Sequence, residues 1–262
     1  MTGRIGEAFS RARADKRPAL VIYLCAGHPD LDRTPDLICA AADAGADVIE
    51  LGVPFSDPTA DGPAIARASE KALQGGATLA RVLSRAEQAR RRTTVPILLF
   101  GYYNPILAYG EARLVADGKR AGIDGFLVVD LPPEECSVLR LPAIEAGLEY
   151  VPLVAPTSSE ARIRMAASVA TSVLYYVAVT GVTGSSATDL EGAARRAAAV
   201  REQTKCPVAV GFGVKTPADV KKLAPHVDGI VVGSAIIQAI DGATDPVAAV
   251  RSLVTTLAQA LR

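Results

Sequence analysis

The sequence predicts a (β/α)8 barrel, in which eight parallel strands alternate with helices and close into a cylinder. Three observations favour this fold: the length of the chain, eight apolar runs of strand length, and amphipathic segments between the runs. The chain has 262 residues, close to the roughly 250 residues of a typical barrel of this kind. Its hydrophobic content of 50% and mean hydropathy of +0.25 allow a large core and exclude an intrinsically disordered chain.

The predicted strands are apolar on both faces except at Glu50, as expected for parallel strands that are covered on both sides. They are residues 19–25, 48–53, 95–100, 125–129, 150–154, 173–179, 208–210 and 229–232. Eight strand and helix units close most economically into one barrel. A doubly wound open sheet is the alternative, but the GxGxxG turn that usually follows its first strand is missing from the sequence.

The segments between the strands have helical spacing of their apolar residues. They are residues 34–43, 79–91, 111–120, 134–145, 158–167, 190–202 and 217–223. A further helix over residues 6–14 precedes the first strand, and the last outer helix covers residues 245–261. Since no linker or low-complexity stretch divides the chain, we expect residues 1–262 to form a single TIM-barrel domain with an extra N-terminal helix.

A partial repeat supports the alternation of helices and strands. Ala44-Gly45-Ala46-Asp47, Ala121-Gly122-Ile123-Asp124 and Ala146-Gly147-Leu148-Glu149 each stand between a predicted helix and a predicted strand. Glycine just past the end of a helix adopts the left-handed conformation without a Cβ clash. The repeat therefore marks three ends of helices.

The composition excludes several classes of function. Lys and Arg (28) balance Asp and Glu (28), which argues against binding to nucleic acid or to an anionic membrane. No apolar run approaches the roughly 18 residues of a transmembrane helix and no signal-type stretch follows the N-terminus, so we expect a cytoplasmic protein. The four cysteines are far apart without a CxxC pair and there are only two histidines, so we predict no metal site.

The second predicted strand and its following loop carry two carboxylates that suit proton chemistry. Glu50 stands between Ile49 and Leu51 in an apolar run, where desolvation should raise its pKa toward the range useful for proton transfer. Asp61 lies in a loop long enough to fold back over the barrel mouth. The alternatives are a Glu50 paired with an arginine or backbone amides, and an Asp61 that caps a turn.

Glycine clusters follow the last three predicted strands. They are Thr180-Gly181-Val182-Thr183-Gly184-Ser185, Gly211-Phe212-Gly213 and Gly233-Ser234-Ala235. Glycines let the backbone approach an anion closely, and a helix that begins at Ser234 would direct its free N–H groups at that anion. This is where barrels of this class commonly bind phosphate.

Several of these motifs, in their order along the chain, resemble the tryptophan synthase α chain family. The resemblance runs from about residue 19 to residue 240 and includes Glu50-Leu51-Gly52-Val53-Pro54-Phe55-Ser56-Asp57-Pro58, Ala60-Asp61-Gly62-Pro63, Tyr102-Tyr103-Asn104-Pro105, Asp130-Leu131-Pro132, Gly181-Val182-Thr183-Gly184, Gly211-Phe212-Gly213 and Gly233-Ser234-Ala235-Ile236. The first of these blocks is highly specific.

The resemblance implies retro-aldol cleavage of indole-3-glycerol phosphate to indole and glyceraldehyde 3-phosphate, without a cofactor. Glu50 matches the catalytic glutamate of the family, and Asp61 matches the aspartate that holds the indole N–H. The remaining site residues that it implies are the active-site tyrosine Tyr175, the phosphate-binding Gly184, Gly213, Gly233 and Ser234, and the substrate-binding Thr183, on which closure of the loop after strand six would rest. Leu127, Val129 and Phe212 would form the walls of the indole pocket, with Tyr102 at its rim and Tyr23 near it.

The resemblance also implies a protein partner, a PLP-dependent β chain in an α2β2 complex, which would meet the loop from Pro54 to Pro63. Two other functions remain open at this point. The chain could be a stand-alone lyase of the same chemistry, or a weakly active module that allosterically activates a β chain. Departures from the family pattern at Val179 and at Cys25-Ala26-Gly27-His28 bear on loop closure and on coupling to the partner more than on the reaction.

Overall fold

A computed structural model describes residues 3–177, 190–211 and 213–262 of the chain. Within these residues the strands form a single parallel sheet. The strands are β1 (Ala19–Cys25), β2 (Val48–Gly52), β3 (Ile97–Gly101), β4 (Gly125–Val128), β5 (Glu149–Tyr150), β6 (Leu153–Val154), β7 (Leu174–Val177), β8 (Val208–Gly211) and β9 (Gly229–Val232).

The sheet closes at its fifth predicted strand, which the structure divides into β5 and β6. In the sheet order β5-β4-β3-β2-β1-β9-β8-β7-β6, these two short strands lie at opposite ends, although only Val151 and Pro152 separate them in the chain. The Val151 N–H donates to the Phe126 carbonyl at 2.9 Å, and the Pro152 carbonyl accepts from the Tyr175 N–H at 3.0 Å. These bonds join the two ends, and the predicted eight-stranded barrel is confirmed.

Helices cover the outside of the sheet. They are α1 (Arg4–Ala14), α2 (Thr34–Asp43), α3 (Pro63–Gln74), α4 (Leu79–Arg90), α5 (Tyr103–Tyr109), α6 (Glu111–Ala121), α7 (Ser137–Glu145), α8 (Glu160–Val169), α9 (Leu190–Thr204), α10 (Pro217–Leu223), α11 (Ser234–Asp241) and α12 (Pro246–Ala260). The sequence analysis did not predict α3 and α5, which both follow strand ends near the barrel mouth. None of the helices in the described ranges is long and apolar enough to cross a bilayer.

Buried apolar residues form two layers on either side of the sheet. Along β2, Ile49 and Leu51 pack in the larger cluster between the sheet and the outer helices, whereas Val48 packs in the smaller cluster inside the barrel. The N-terminal helix α1 contributes Ile5 and Phe9 to the interior cluster. The alternation of side chains along a strand therefore decides which residues face the interior.

The predicted repeat has a clear structural role at the N-terminal ends of the strands. An Asp47 carboxylate oxygen accepts the Leu20 N–H at 2.8 Å, and an Asp124 oxygen accepts the Ile97 N–H, also at 2.8 Å. Glu149 accepts the Ile5 N–H at 2.7 Å, at the first turn of α1. The repeated carboxylates thus fix neighbouring strands and α1 at the end of the barrel opposite to the β–α loops.

Candidate active site

Glu50 lies in the middle of β2 and faces the barrel interior. Its position between Val48 and Gly52 gives it the inward register of the strand. The parallel ladders place Tyr23 of β1 and Leu98 of β3 opposite it. Only 1% of the residue is exposed, so its carboxyl group is removed from bulk water.

One oxygen of the Glu50 carboxyl group lacks the hydrogen bond that usually accompanies a buried charge. Its Oε2 atom has no hydrogen-bond partner in the described part of the chain, so the pairing with an arginine or with backbone amides is not seen for this oxygen. Burial and, as the smaller cause, the nearby negative charge of Asp61 together raise the pKa of Glu50 to about 8. At neutral pH the group therefore holds a proton that it can transfer.

Asp61 lies near the end of the loop between β2 and α3, where it is half-buried. Burial raises the pKa of Asp61 to about 6, while an interaction with the Tyr102 hydroxyl acts in the opposite direction. At pH 7 Asp61 is therefore mostly ionised, whereas Glu50 is mostly protonated. Two carboxyl groups whose surroundings separate their pKa values can act as an acid and as a charge-stabilising acceptor.

The side chains of Tyr23 and Tyr175 lie near these carboxyl groups, and each packs against a glycine of the neighbouring strand. A Cβ atom built on Gly52 would overlap the Tyr23 hydroxyl, and one built on Gly211 would overlap the Tyr175 hydroxyl. Burial is the largest cause that raises the pKa of both tyrosines, and the charges of Glu50 and Asp61 act in the same direction. Both rings therefore line the interior next to the carboxyl pair.

The remaining predicted pocket residues lie on β4 and immediately after it. Leu127 is fully buried in the interior cluster, and Val129 packs partly buried against that cluster. The structure thus brings both to the same inner surface as Tyr175. Phe212, the third predicted wall residue, lies outside the described residues.

The predicted phosphate end is described in part. Helix α11 begins at Ser234, as the sequence predicts. Gly233 is its N-cap residue, so no side chain at that position caps the first N–H groups of the helix. Gly213 is exposed after β8. Because the first N–H groups of a helix have no acceptor within the helix, α11 can donate to an anion at this end. Thr183 and Gly184 lie outside the described residues.

Sequence reasoning missed Ser69 of α3 and the burial of Tyr102. Tyr102 is 3% exposed and lies against the loop that follows β2. Ser69 is buried too, and its hydroxyl bonds to the backbone of Phe55. The signal that could have found Ser69 is Pro63 followed by Ala64, Ala68 and Ala72, a helical spacing with proline in the first turn.

Clusters of His, Cys, Asp or Glu that could hold a metal ion do not occur among residues 3–177, 190–211 and 213–262. His28 is buried in the loop after β1, with its Nε2 atom 3.3 Å from the Asp241 carboxylate. Neither histidine is part of the carboxyl pair described above.

The raised pKa of Glu50 predicts a pH-dependent cost to stability. An unfolded chain ionises this carboxyl near its ordinary value of 4.5, and the folded chain does so only near 8. The contribution of Glu50 to the free energy of unfolding is therefore most favourable below about pH 4.5 and falls as the pH rises to about 8. We expect Glu50→Gln, which has no charge to desolvate, to increase the free energy of unfolding by about 3 kcal/mol at pH 7.

Denaturant unfolding of both proteins at pH 5, 7 and 8 measures this difference. The exposed Glu70 of α3 provides the control, and Glu70→Gln should change stability by about 0.5 kcal/mol or less at each pH. A Glu50→Gln difference that does not grow between pH 5 and pH 8 would show that the carboxyl group is not desolvated in the folded protein.

Comparison with known proteins identifies the family. A family model described as "Tryptophan synthase alpha chain" matches residues 9–262. The tryptophan synthase alpha chain of Geobacter sulfurreducens is 48% identical over 235 residues, which cover 90% of this chain and 89% of the relative. That of Geotalea daltonii is 47% identical over 236 residues, with the same coverages of 90% and 89%.

A solved structure agrees with the sequence matches. The structure of tryptophan synthase subunit alpha from Legionella pneumophila has a TM-score of 0.91 and 35% sequence identity, and the comparison covers 100% of this chain and 99% of that one. The chain therefore belongs to the tryptophan synthase alpha chain family of carbon–carbon lyases, which cleave indole-3-glycerol phosphate in tryptophan biosynthesis and form a complex with a β subunit.

Proposed function

We propose that Glu50 is the proton shuttle of indole-3-glycerol phosphate cleavage in this chain and that Asp61 accepts the indole N–H. One observation carries the proposal: a fully buried glutamate, without a partner for Oε2 among the described residues, carries a raised pKa beside a second carboxylate. The pair sits at the C-terminal ends of barrel strands and in the following loop, where barrel enzymes place their reacting groups.

The two carboxyl groups are sufficient for the retro-aldol step. Protonated Glu50 gives its proton to C3 of the indole ring, and the resulting cation carries its charge at the ring nitrogen beside ionised Asp61. The Glu50 carboxylate then takes the proton of the glycerol hydroxyl next to the ring. As the C=O bond of the aldehyde forms, the C–C bond breaks and its electrons return to the ring. Indole and glyceraldehyde 3-phosphate leave, and Glu50 is protonated again.

The surrounding residues would hold the indole ring for this exchange. Leu127 and Val129 offer an apolar surface at the end of β4, and Tyr175 lies beside the carboxyl pair. Phe212 is proposed as a further wall on the strength of the sequence resemblance. An apolar pocket excludes water and keeps the pKa of Glu50 high.

Substitution of Glu50 by glutamine tests the shuttle. Glutamine keeps the shape of the side chain but cannot exchange a proton, so we expect indole release to fall by about 10²–10⁴-fold. In the wild type, kcat/KM should follow a bell-shaped pH dependence, because activity needs ionised Asp61 and protonated Glu50. The acid limb should lie near pH 6 and the alkaline limb near pH 8.

Steady-state indole release between pH 5 and pH 9 gives both results. Glu70→Gln, on the outer surface of α3, should retain wild-type turnover and the same profile. Activity of Glu50→Gln within threefold of the wild type would remove Glu50 from the mechanism.

We propose that the phosphate of the substrate binds between the N-terminus of α11 and the segments that follow β7 and β8. The contacting groups would be Gly233 and Ser234 at the N-terminus of α11, Gly213 after β8, and Thr183 and Gly184. The free N–H groups of α11 and the positive end of its dipole support binding of an anion there.

A charge at Gly233 tests this position. A Cβ atom there would lie 3.4 Å from Ile65 and from Tyr23, which is ordinary contact, so Gly233→Asp should fold. Its carboxylate would repel the phosphate, and we expect thermal protection by glycerol 3-phosphate to be lost. Gly242→Asp, at the other end of the same helix, is the matched control and should keep the protection. Equal protection of both variants would place the phosphate elsewhere.

We further propose that the loop from Pro54 to Pro63 docks onto a β chain in an α2β2 complex. The loop is exposed at Asp57, and a groove of about 350 Å³ lies beside its first residues, lined by Val53, Phe55, Leu73, Pro105 and Tyr109 among others. Leu107 of α5 is 56% exposed next to this groove. An apolar groove beside a proline-stiffened loop suits a protein partner, since rigid loops lose little entropy on binding.

Substitution of both Asp57 and Pro58 by alanine tests the docking surface. We expect weaker binding to a β chain and less activation of indole release, with the free chain still folded, because the changes remove rim contacts. Asp15→Ala, an exposed aspartate at the opposite end of the barrel, is the control for loss of one charge. Binding and activation at wild-type levels after the double substitution would contradict this contact.

The same assay separates the other two functions. A stand-alone lyase would release indole at full rate without any β chain, and a weakly active allosteric module would activate a β chain with little turnover of its own. The presence of Glu50 and Asp61 argues against the weakly active module, and the response to a β chain separates the two lyases. A cytoplasmic location remains a prediction from the sequence.

A further inference from the structure

Tyr102 directly follows β3 and lies beneath the loop that carries Asp61. Its side chain is almost fully buried, at 3% exposure. Its ring contacts the ring of Phe55, with 5.3 Å between the centroids and 33° between the planes. Phe55 belongs to the same loop as Asp61, so Tyr102 touches this loop at its beginning as well as at its end.

The Tyr102 hydroxyl holds the end of the loop through a hydrogen bond. Its oxygen accepts the backbone N–H of Ala60 at 3.0 Å. Asp61 is the next residue, and the nearby Tyr102 hydroxyl lowers the pKa of Asp61, while the charge of Asp61 raises the pKa of Tyr102. One buried hydroxyl thus binds the backbone before Asp61 and favours the ionised form of the Asp61 side chain.

Ser69 of α3 fixes the beginning of the same loop. Its hydroxyl accepts the Phe55 N–H at 2.8 Å and donates to the Phe55 carbonyl at 3.0 Å. Because the backbone of Phe55 cannot move away from α3 without breaking both bonds, the residue that carries the ring in contact with Tyr102 is held in place. The loop is therefore held at two points, and its carboxylate extends from the second of them.

We propose that Tyr102 is a positioning residue, which acts through Asp61 by holding this carboxylate where it accepts the indole N–H. The inference rests on the proposed function of Asp61, and it gives Tyr102 a role different from that of a pocket wall. A wall residue contributes its ring, whereas a positioning residue contributes its hydroxyl. Phenylalanine at this position keeps the ring and removes only the hydroxyl.

Tyr102→Phe should therefore lower kcat/KM by about tenfold to a hundredfold, because a misplaced charge stabilises the transition state poorly. The loss should fall mainly on kcat, since apolar contacts of the ring with the substrate persist. The acid limb of the pH profile should move to higher pH, because Asp61 loses an interaction that favours its ionised form. A residue that only fills space would leave that limb unchanged.

Tyr103→Phe is the matched control. Tyr103 is the next residue in the chain, and its hydroxyl donates to Glu111 at 2.6 Å on the outer side of the barrel. This variant loses one tyrosine hydroxyl that interacts with a carboxylate, as Tyr102→Phe does, but no contact with the loop. Its turnover and acid limb should stay within twofold of the wild type.

A double-mutant cycle with Asp61→Asn shows whether Tyr102 acts through Asp61. We expect Asp61→Asn to lose most of the turnover, and Tyr102→Phe to cost less than threefold in that background. An equal cost in both backgrounds would overturn the inference, since Tyr102 would then act independently of Asp61. The inference would also be overturned if Asp61→Asn were impaired while Tyr102→Phe kept wild-type turnover and an unchanged acid limb. Wild-type turnover of Asp61→Asn itself would instead refute the proposed function of Asp61, and with it the positioning role.

Discussion

The desolvation of Glu50 is the constraint on which the candidate site depends. A carboxyl group in water ionises far below neutral pH, and the interior of the barrel raises its pKa to about 8. This raised pKa requires a register of β2 in which the Glu50 side chain faces the barrel interior, opposite Tyr23 and Leu98 of the neighbouring strands. It also requires a closed sheet, because an open edge would admit water to the carboxyl group. The short strands β5 and β6 complete that closure, so the acidity of Glu50 depends on contacts on the far side of the barrel.

The same residue types serve opposite purposes at the two ends of the barrel. Asp47 and Asp124 accept backbone N–H groups and pair with Arg17 and Arg90, at 2.6 Å and 2.7 Å. Their charges are compensated, and they connect strands. Glu50 has no such partner for Oε2 in the described part of the chain, and it contributes an exchangeable proton at the cost of stability. The partners of a carboxylate, more than its burial, distinguish a structural acid from one suited to catalysis.

Sequence periodicity predicted the barrel because the buried strands are apolar on both faces. In addition, three helices are followed by a turn signal such as Ala44-Gly45. Periodicity did not predict α3 and α5, since both follow strand ends where polar and proline residues are typical of loops. Glu50 was chosen as a candidate because it is a charge inside an apolar run, and Asp61 because it lies in a loop long enough to reach the barrel mouth. The resemblance to the family includes both residues. Ser69 and the buried position of Tyr102 could not be found in this way. Their roles depend on contacts between segments 14 and 42 residues apart in the chain, which a local pattern does not encode.

The loop between β2 and α3 connects the proposed partner surface with the chemistry. Phe55 lines the groove on one side of this loop and contacts Tyr102 on the other. A partner that contacts Phe55 would therefore act on the residue that holds Ala60 and Asp61, without any contact of its own with the substrate. Such coupling needs a partner that binds one position of the Phe55 ring more tightly than another, since a ligand shifts an equilibrium only by its difference in affinity. The two bonds from Ser69 limit how far the backbone of Phe55 can move. Activation by a β chain would then arise from a narrower range of Asp61 positions rather than from a large displacement of the loop.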